Sequence, residues 1–333
     1  MLAAVRDRYG PPDVVRLEEV ETPIPTDDRI LVRVRAASVN RGDLDGILPR
    51  PQFVRLFMGL REPRSKRMGL DAAGTVEAVG PEVTRFKPGD RVFGDLFSFG
   101  LGAFGEYVAA SETAFLKIPD WLSFQVAATL PHSGVLGVQG LRLRDGRTIK
   151  PGDRVLVDGA SGNVGPFAVQ IAKALGAAVT GVASGDKLDF VRSLGADHVI
   201  DYRATDYTKT GERYDWIVDV DSHHGAFAVR RALAPGGIYI TLGGTTATIF
   251  SSLVLGPILG RLSGKRIGLL IWWKPFHQPD VETLTELIRA GKVTPRIDRR
   301  YPLSEAVEAL QWVGDGHARG KVLVIPEAVA EPQ

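Results

Sequence analysis

The strongest constraint on the fold lies in the middle of the sequence. Between residues 154 and 243, short apolar runs alternate with helical segments of about ten to twelve residues. RVLVDGA (154–160) reads as a strand and 164–175 as a helix. Strands at 178–183 and 198–202 flank a helix at 187–194, and strands at 216–220 and 238–243 flank a helix at 224–233. These strands are apolar on both faces instead of alternating, which suits a parallel sheet covered by helices on both sides. The expected class is α/β, a doubly wound parallel sheet.

The first of these strands runs into Ala160-Ser161-Gly162-Asn163-Val164-Gly165 and then a helix. This is a G-x-G-x-x-G type turn with alanine in its first place. Such a turn aims backbone N–H groups and a helix N-terminus at an anion, which suits the pyrophosphate of a dinucleotide. Gly162 permits close backbone approach and Gly165 close packing of helix on strand. The strand–turn–helix setting gives the pattern its weight; without a ligand, the same glycines would only shape a tight turn. An NAD site usually carries Asp or Glu at the tip of the second strand. Here the tip is Ala183-Ser184-Gly185, with Lys187 and Tyr202 near enough in sequence to serve a 2′-phosphate. NADPH is therefore expected over NADH. Asp186 opposes this if it faces inward. Lys187 could equally be a solvated helix charge, and Tyr202 a core aromatic.

The first 120 or so residues read differently. Strands at 30–37, 74–79, 90–93 and 104–109 are separated by turns such as Pro88-Gly89-Asp90, as in a barrel or sandwich. After about residue 275 come one amphipathic helix, 281–290, and mixed strands ending at 321–326, with a frayed tail at 327–333. The expected organisation is a nucleotide-binding domain, 123–275, inserted between two parts of a β-rich domain, 1–122 and 276–333.

Composition narrows the function. The 333 residues include 41 basic and 39 acidic side chains, a net charge of +2, which argues against a dedicated nucleic-acid binder. There is no cysteine, hence no thiolate nucleophile, disulfide or cysteine-held zinc. The most membrane-like stretch, 249–273, is interrupted by Arg261, Lys265 and Arg266, so stable membrane insertion is not expected. It is expected to be buried or interfacial. Arg6, Asp7 and Arg8 stand where a secretion signal needs apolar residues, and a cytoplasmic location is expected.

Several further segments resemble one family. They are Ala37-Ser38-Val39-Asn40-Arg41-Gly42-Asp43, Gly69-Leu70-Asp71-Ala72-Ala73-Gly74, Lys87-Pro88-Gly89-Asp90-Arg91-Val92 and Gly102-Ala103-Phe104-Gly105-Glu106-Tyr107. Ser193-Leu194-Gly195-Ala196-Asp197 and Gly316-His317-Ala318-Arg319-Gly320-Lys321-Val322 complete the set. In this order they resemble the medium-chain dehydrogenase/reductase superfamily, in its zinc-independent, quinone-oxidoreductase-like branch. The resemblance implies a GroES-like barrel built from both chain ends, a Rossmann domain between them, and an active site in the cleft. It also implies NAD(P)H-dependent hydride transfer to quinones or α,β-unsaturated carbonyls, and frequent homodimerisation through the Rossmann sheet.

Zinc-dependent relatives hold a catalytic metal in the segments matching 40–43 and 69–73. Here those positions offer Asn40 and Asp71, the four-cysteine lobe for structural zinc is missing, and no metal is expected. Cofactor contacts carry over to Ala160, Ser161, Gly162, Asn163, Val164, Gly165, Ser184, Lys187 and Tyr202. Leu242, Gly243 and Gly244 would follow a later strand, Trp272 and Trp273 would lie at the nicotinamide end, and Lys321 near the cleft. Three departures stand out: Asn163 in a place usually held by Gly, Leu136 where many relatives have a cofactor-touching Thr, and His132-Ser133 after Pro131.

Without a metal, oxyanion charge must be met by hydrogen-bond donors or delocalised in the substrate. Quinones and enones do the latter, so a small hydrophobic carbonyl or quinone is the expected substrate. Asn40 is the candidate for positioning a carbonyl or the cofactor amide, Asp43 for ordering its loop, and His132 for supplying a proton. Asn40 and Asp43 could instead simply cap a turn, and His132 could be a satisfied cleft residue. The basic, apolar-interleaved segment 50–67 could be a lid over the substrate or an ordinary solvated loop. Carbonyl or alcohol oxidoreduction, and a non-catalytic NADPH sensor, remain as alternatives.

Overall fold

The structure is a computed structural model that describes residues 1–49 and 55–326. The chain divides into two compact units. One comprises Met1–His132, Pro275–Val281 and the chain from Ile297 on; the other comprises Ser133–Lys274 and Glu282–Arg296. The first crossing thus falls ten residues beyond the boundary read at 122–123, because the helix Phe124–Ala128 packs on strands of the first unit.

The first unit opens with strands β1 (Leu2–Val5) and β2 (Arg16–Glu19), paired antiparallel. Next come β3 (Arg29–Val39), β4 (Asp71–Val79), β5 (Arg91–Asp95), β6 (Tyr107–Ser111) and β7 (Phe115–Lys117). β3 is the organising strand. It pairs antiparallel with β4 along most of its length and with β6 over Arg29–Arg33. Its core residues are Ile30, Val32 and Val34, then Ala37 and Val39. The change from even to odd numbers comes from a bulge between Val34 and Ala36, where Arg35 has no partner on β4. An extra residue shifts the side-chain period by one. Ser38 and Asn40 are thereby turned away from the hydrophobic core to the sheet's other face. Burying each Val, Ile or Phe of such a core stabilises by roughly 1.5–3 kcal/mol, so the parity is firmly held.

The second unit holds β8 (Arg154–Asp158), β9 (Ala178–Ala183), β10 (His198–Asp201), β11 (Tyr214–Asp219), β12 (Leu233–Thr241) and β13 (Arg266–Leu269). All pair in parallel, in the order β10-β9-β8-β11-β12-β13. The order reverses between β8 and β11. In open α/β sheets, ligands bind at the carboxyl ends of the strands at such a reversal. The buried Trp216 anchors β11, its Nε1–H donating to the Gly140 carbonyl at 2.9 Å.

The chain returns to the first unit as β14 (Ile297–Pro302) and β15 (Lys321–Ile325). β15 pairs antiparallel with β3, Val322 opposite Val39 and Leu323 opposite Ser38. One sheet is therefore built from both ends of the chain. The tail at 327–333 lies outside the described residues.

The stretch read as buried or interfacial proves to be two elements. A helix runs over Thr246–Ser263, with a π-helical turn at Ser251–Leu255, and β13 follows it. By length and mean hydropathy, 1.2, it is the one helix among the described residues apolar enough to cross a bilayer. Of the three interrupting charges only Arg261 lies on it. Its position is that of a crossover helix: Cβ atoms at Gly256 and Gly260 would come within 2.7 and 2.8 Å of the Ile267 and Lys265 carbonyls beside it. The reading as buried fails for its outer face, where Phe250, Leu253, Ile258 and Leu262 are exposed.

Candidate active site

Two sets of residues carry chemistry, one in each unit. In the first unit, register alone gathers a polar row at one end of the sheet. Ser38 lies opposite Asp71, and Asp71 opposite Asp95. The register of β15 continues so that Lys321 faces Asn40. Asp71 Oδ2 accepts from Ser38 Oγ and from Asn40 Nδ2, both at 2.9 Å. Asn40 Nδ2 also donates to the Ser38 carbonyl at 3.2 Å, and Lys321 Nζ donates to Asn40 Oδ1 at 2.6 Å. Lys321 Nζ stands 3.8 Å from Asp71 Oδ2, with both side chains wholly buried. Asn40 also caps the helix Arg41–Ile47, its backbone N–H donating to Asp43 Oδ2 at 2.8 Å.

Burial governs the charges here. It pushes the Asp43 carboxyl up to about 7, with Asp71's charge adding to the rise against the Asn40 N–H bond. Burial likewise raises Asp71, opposed chiefly by Lys321. Lys321 itself is brought down to about 8 by burial, against the pull of Asp71, Asp43 and Asp95. At the edge of the row His132 Nδ1–H donates to Asp95 Oδ2 at 3.1 Å, and its side chain keeps 12% exposure.

Asn40 was expected to position a substrate carbonyl or the cofactor amide. The structure gives it no exposed surface, both amide protons taken and its oxygen engaged by Lys321. Asp43, expected to order its loop, closes a capping box with Asn40. Lys321, carried over as a cofactor residue near the cleft, lies in this first-unit row.

In the second unit the remaining cofactor candidates share the carboxyl end of the sheet. β8 stops at Asp158, earlier than the strand read at 154–160, and Gly159 makes the turn with φ +76°. Gly159, read as part of the strand 154–160, is thus the tight-turn glycine. A Cβ on Gly165 would lie 2.2 Å from the Gly159 carbonyl oxygen, whereas one on Gly162 would meet nothing closer than 3.6 Å. The turn is therefore closed beneath and open above, as a pyrophosphate cradle must be. Ala160, Ser161, Asn163 and Val164 form the rest of it. Asn163 lies outside the left-handed region, so its tolerance of unusual angles is not used.

Ser184 follows β9, Tyr202 follows β10, and Lys187 begins the helix Leu188–Ser193 with its N–H on the Ser184 carbonyl at 2.9 Å. Asp186 points outward, held by Ser184 and 3.8 Å from Arg203, and those contacts lower its pKa. Arg203, also unread in the sequence, stands 5.7 Å over the Tyr202 ring. Tyr202 is exposed, not a core aromatic. Leu242, Gly243 and Gly244 follow β12, bridged to Ser222, and half-buried Trp272 and Trp273 follow β13. These residues fit a nicotinamide dinucleotide.

Known proteins agree with this geometry. Residues 26–120 match the alcohol dehydrogenase GroES-like domain family, and residues 194–324 the zinc-binding dehydrogenase family. The chain is 33% identical over 340 residues to the chloroplastic quinone-oxidoreductase QR1 of Triphysaria versicolor, covering 98% of each. The chain belongs to the medium-chain dehydrogenase/reductase superfamily, in its quinone-oxidoreductase-like branch. Another member, the mitochondrial NAD(P)H oxidoreductase RTN4IP1 of Mus musculus, is 33% identical over 356 residues, covering 97% of this chain and 89% of its own. The quinone oxidoreductase of Coxiella burnetii superposes with a TM-score of 0.84 at 29% identity, covering 98% of this chain and 99% of that one. As a member of this superfamily the chain is an NAD(P)H-dependent oxidoreductase.

The match named for zinc covers residues 194–324, outside the segments where the resemblance places a catalytic metal. Where zinc-dependent members hold their catalytic metal, Asn40 and Asp71 are tied to each other, and the cation beside them is the Lys321 ammonium.

Proposed function

We propose that the chain uses NADPH, without zinc, to reduce small hydrophobic acceptors that carry their own negative charge once reduced: quinones or α,β-unsaturated carbonyls. The observation that carries this reading is the Lys321–Asn40–Asp71 crosslink, which fills the metal segments with a sealed hydrogen-bonded set. Such a set supplies no Lewis acid to an isolated ketone. When bound, the nicotinamide supplies the hydride.

In this reading Asn40, Asp43 and Lys321 hold the end of the first-unit sheet rigid, and His132, the one member of the row that keeps some exposure, faces the acceptor. The glycine turn 159–165 holds the pyrophosphate. Ser184, Lys187 and Tyr202, joined by Arg203, receive the 2′-phosphate; the outward turn of Asp186 supports the preference for NADPH over NADH.

The test is steady-state oxidation of NADPH and of NADH with a panel of quinones, enones, simple ketones and alcohols, with and without a chelator. Turnover of quinones or enones, faster with NADPH and indifferent to chelator, is the expected result. Turnover confined to simple ketones or alcohols, or lost to chelator, overturns the reading. NADPH binding without turnover of any acceptor points to a sensor.

A further inference from the structure

Asp95 attracts no notice in the sequence, but the fold gives it an unusual setting. It ends β5, beside Asp71 in register, and is 1% exposed. Its two oxygens are both used: Oδ1 accepts from the Phe97 N–H at 2.7 Å, and Oδ2 accepts from His132 Nδ1 at 3.1 Å. A carboxylate fixed by the backbone in this way fixes the imidazole in turn, in ring orientation and in the identity of the nitrogen facing away, Nε2.

His132 is the middle residue of a π-helical turn, Leu130–Gly134, a rare device that recurs at functional sites. It is also the last residue of the first unit before the chain enters the unit that carries the glycine turn. Nε2 is near Gly42, where a Cβ would come within 3.7 Å of it. The charged groups around the ring are Asp95 on β5, Asp71 on β4, Asp43 on the helix Arg41–Ile47 and Lys321 on β15. Burial opposes a charge on the ring, but the hydrogen bond and charge of Asp95, with Asp71, outweigh it and hold His132 above its ordinary value.

We propose that His132 is the general acid of the reaction, that Asp95 is its positioning residue, and that the pair selects α,β-unsaturated carbonyls over quinones. The inference rests on the NADPH-dependent reductase reading above. Hydride arriving at the β-carbon of an enone forms a C–H bond there and moves the alkene electron pair into an enolate. That pair must then bond a proton at the α-carbon, where protonation is slow unless an acid is positioned for it. The Nε2–H of the imidazolium gives this proton and keeps its own electron pair, and the neutral imidazole regains a proton from water. Enone, hydride and proton give the saturated carbonyl. A reduced quinone carries its charge on oxygen, takes protons directly from water, and has no use for the pair.

The test compares the wild type with Asp95→Asn, Asp95→Glu and His132→Gln. The readouts are NMR titration of His132, NADPH binding by fluorescence, and pH profiles of kcat/KM with cyclohexenone and with benzoquinone. The wild-type His132 is expected to titrate above about 6.5, and enone kcat/KM to fall as pH rises through that value. His132→Gln is expected to lose about 100-fold more with the enone than with benzoquinone, with NADPH binding retained. Asp95→Asn moves both the NMR midpoint and the fall in rate to lower pH, and Asp95→Glu restores them. Equal losses with both acceptors, or a pH profile unmoved in Asp95→Asn, overturn the dyad. A wild-type His132 titrating at or below the ordinary value does so without any variant. Wild-type enzyme that binds NADPH but turns over neither acceptor overturns the reductase reading, and the dyad with it.

Discussion

At Asp43 the fold keeps a carboxyl group where water cannot reach it, and this ties stability to pH. Unfolded, Asp43 gives up its proton at about 4. Folded, it keeps the proton until about 7. Folding therefore takes up a proton between these values, and the stability gained by the neutral acid is fully present below about 4 and lost as pH rises through about 7. Asp71 and Asp219 are raised by burial in the same sense, and His132, raised chiefly by Asp95 against its burial, also loses its contribution with rising pH. His224, lowered by burial, works against them across this window, and Lys321, brought down to about 8, does so at its upper end. The urea midpoint is accordingly expected to fall between pH 5 and pH 8, by at least about 1.4 kcal/mol in unfolding free energy, the worth of one pKa unit. Asp43→Asn, whose amide oxygen can still accept the Asn40 N–H, should flatten that decline. A midpoint that rises over this range would show the buried acids to be ionised throughout.

Among the elements, those written as uniform runs were legible. The parallel strand read at 178–183 lies at Ala178–Ala183, and the strand read at 216–220 and the helix read at 164–175 fall within two residues of those bounds, at Tyr214–Asp219 and Gly165–Ala174. What resisted reading was set by partners far away in sequence. The bulge at Arg35 exists only against β4 and decides which face Ser38 and Asn40 take. Asp95 gains its meaning from His132, 37 residues on. β13 was hidden because its residues, Arg266–Leu269, fall inside the single apolar stretch read at 249–273. The strand end at Asp158 was missed by two residues, since Gly159-Ala160 extends the apolar run without a break. That boundary carries its own test. In Gly165→Ala the new methyl group would meet the Gly159 carbonyl oxygen at 2.2 Å, so the cradle must open. NADPH binding, followed by cofactor fluorescence, is expected to weaken by at least about tenfold, or 1.4 kcal/mol. Unchanged affinity would remove the turn from the binding site.

For the molecule as a whole, one surface feature bears on assembly. β13 is an edge strand with β12 as its one sheet neighbour, and beside it stand the exposed side chains of Phe250, Ile258, Leu262 and Ile271, up to 79% accessible. An edge strand flanked by apolar groups invites pairing with another copy. Light scattering is expected to give about 72 kDa, twice the 36.0 kDa of the chain. Ile258→Glu with Leu262→Glu, both on the outer helix face, should return the monomer mass with NADPH binding intact. A wild type that is monomeric at micromolar concentration would refute the pairing.

The sheet built from both chain ends also sets an order of events during synthesis. Lys321 is 281 residues from the Asn40 it binds. By the time it leaves the ribosome, all six strands of the second unit have already been made, and their local βα connections let that unit fold without waiting. The end of the sheet with Asp43, Asp71 and Asp95 lacks the Lys321 ammonium until then. The first unit to be translated is thus the last to close, and a chain that stops short of Lys321 carries its buried acids without that ammonium. Only a fully translated chain can complete the site, so a premature stop leaves a folded nucleotide-binding unit joined to an open sheet, a form that cellular proteases can recognise and remove.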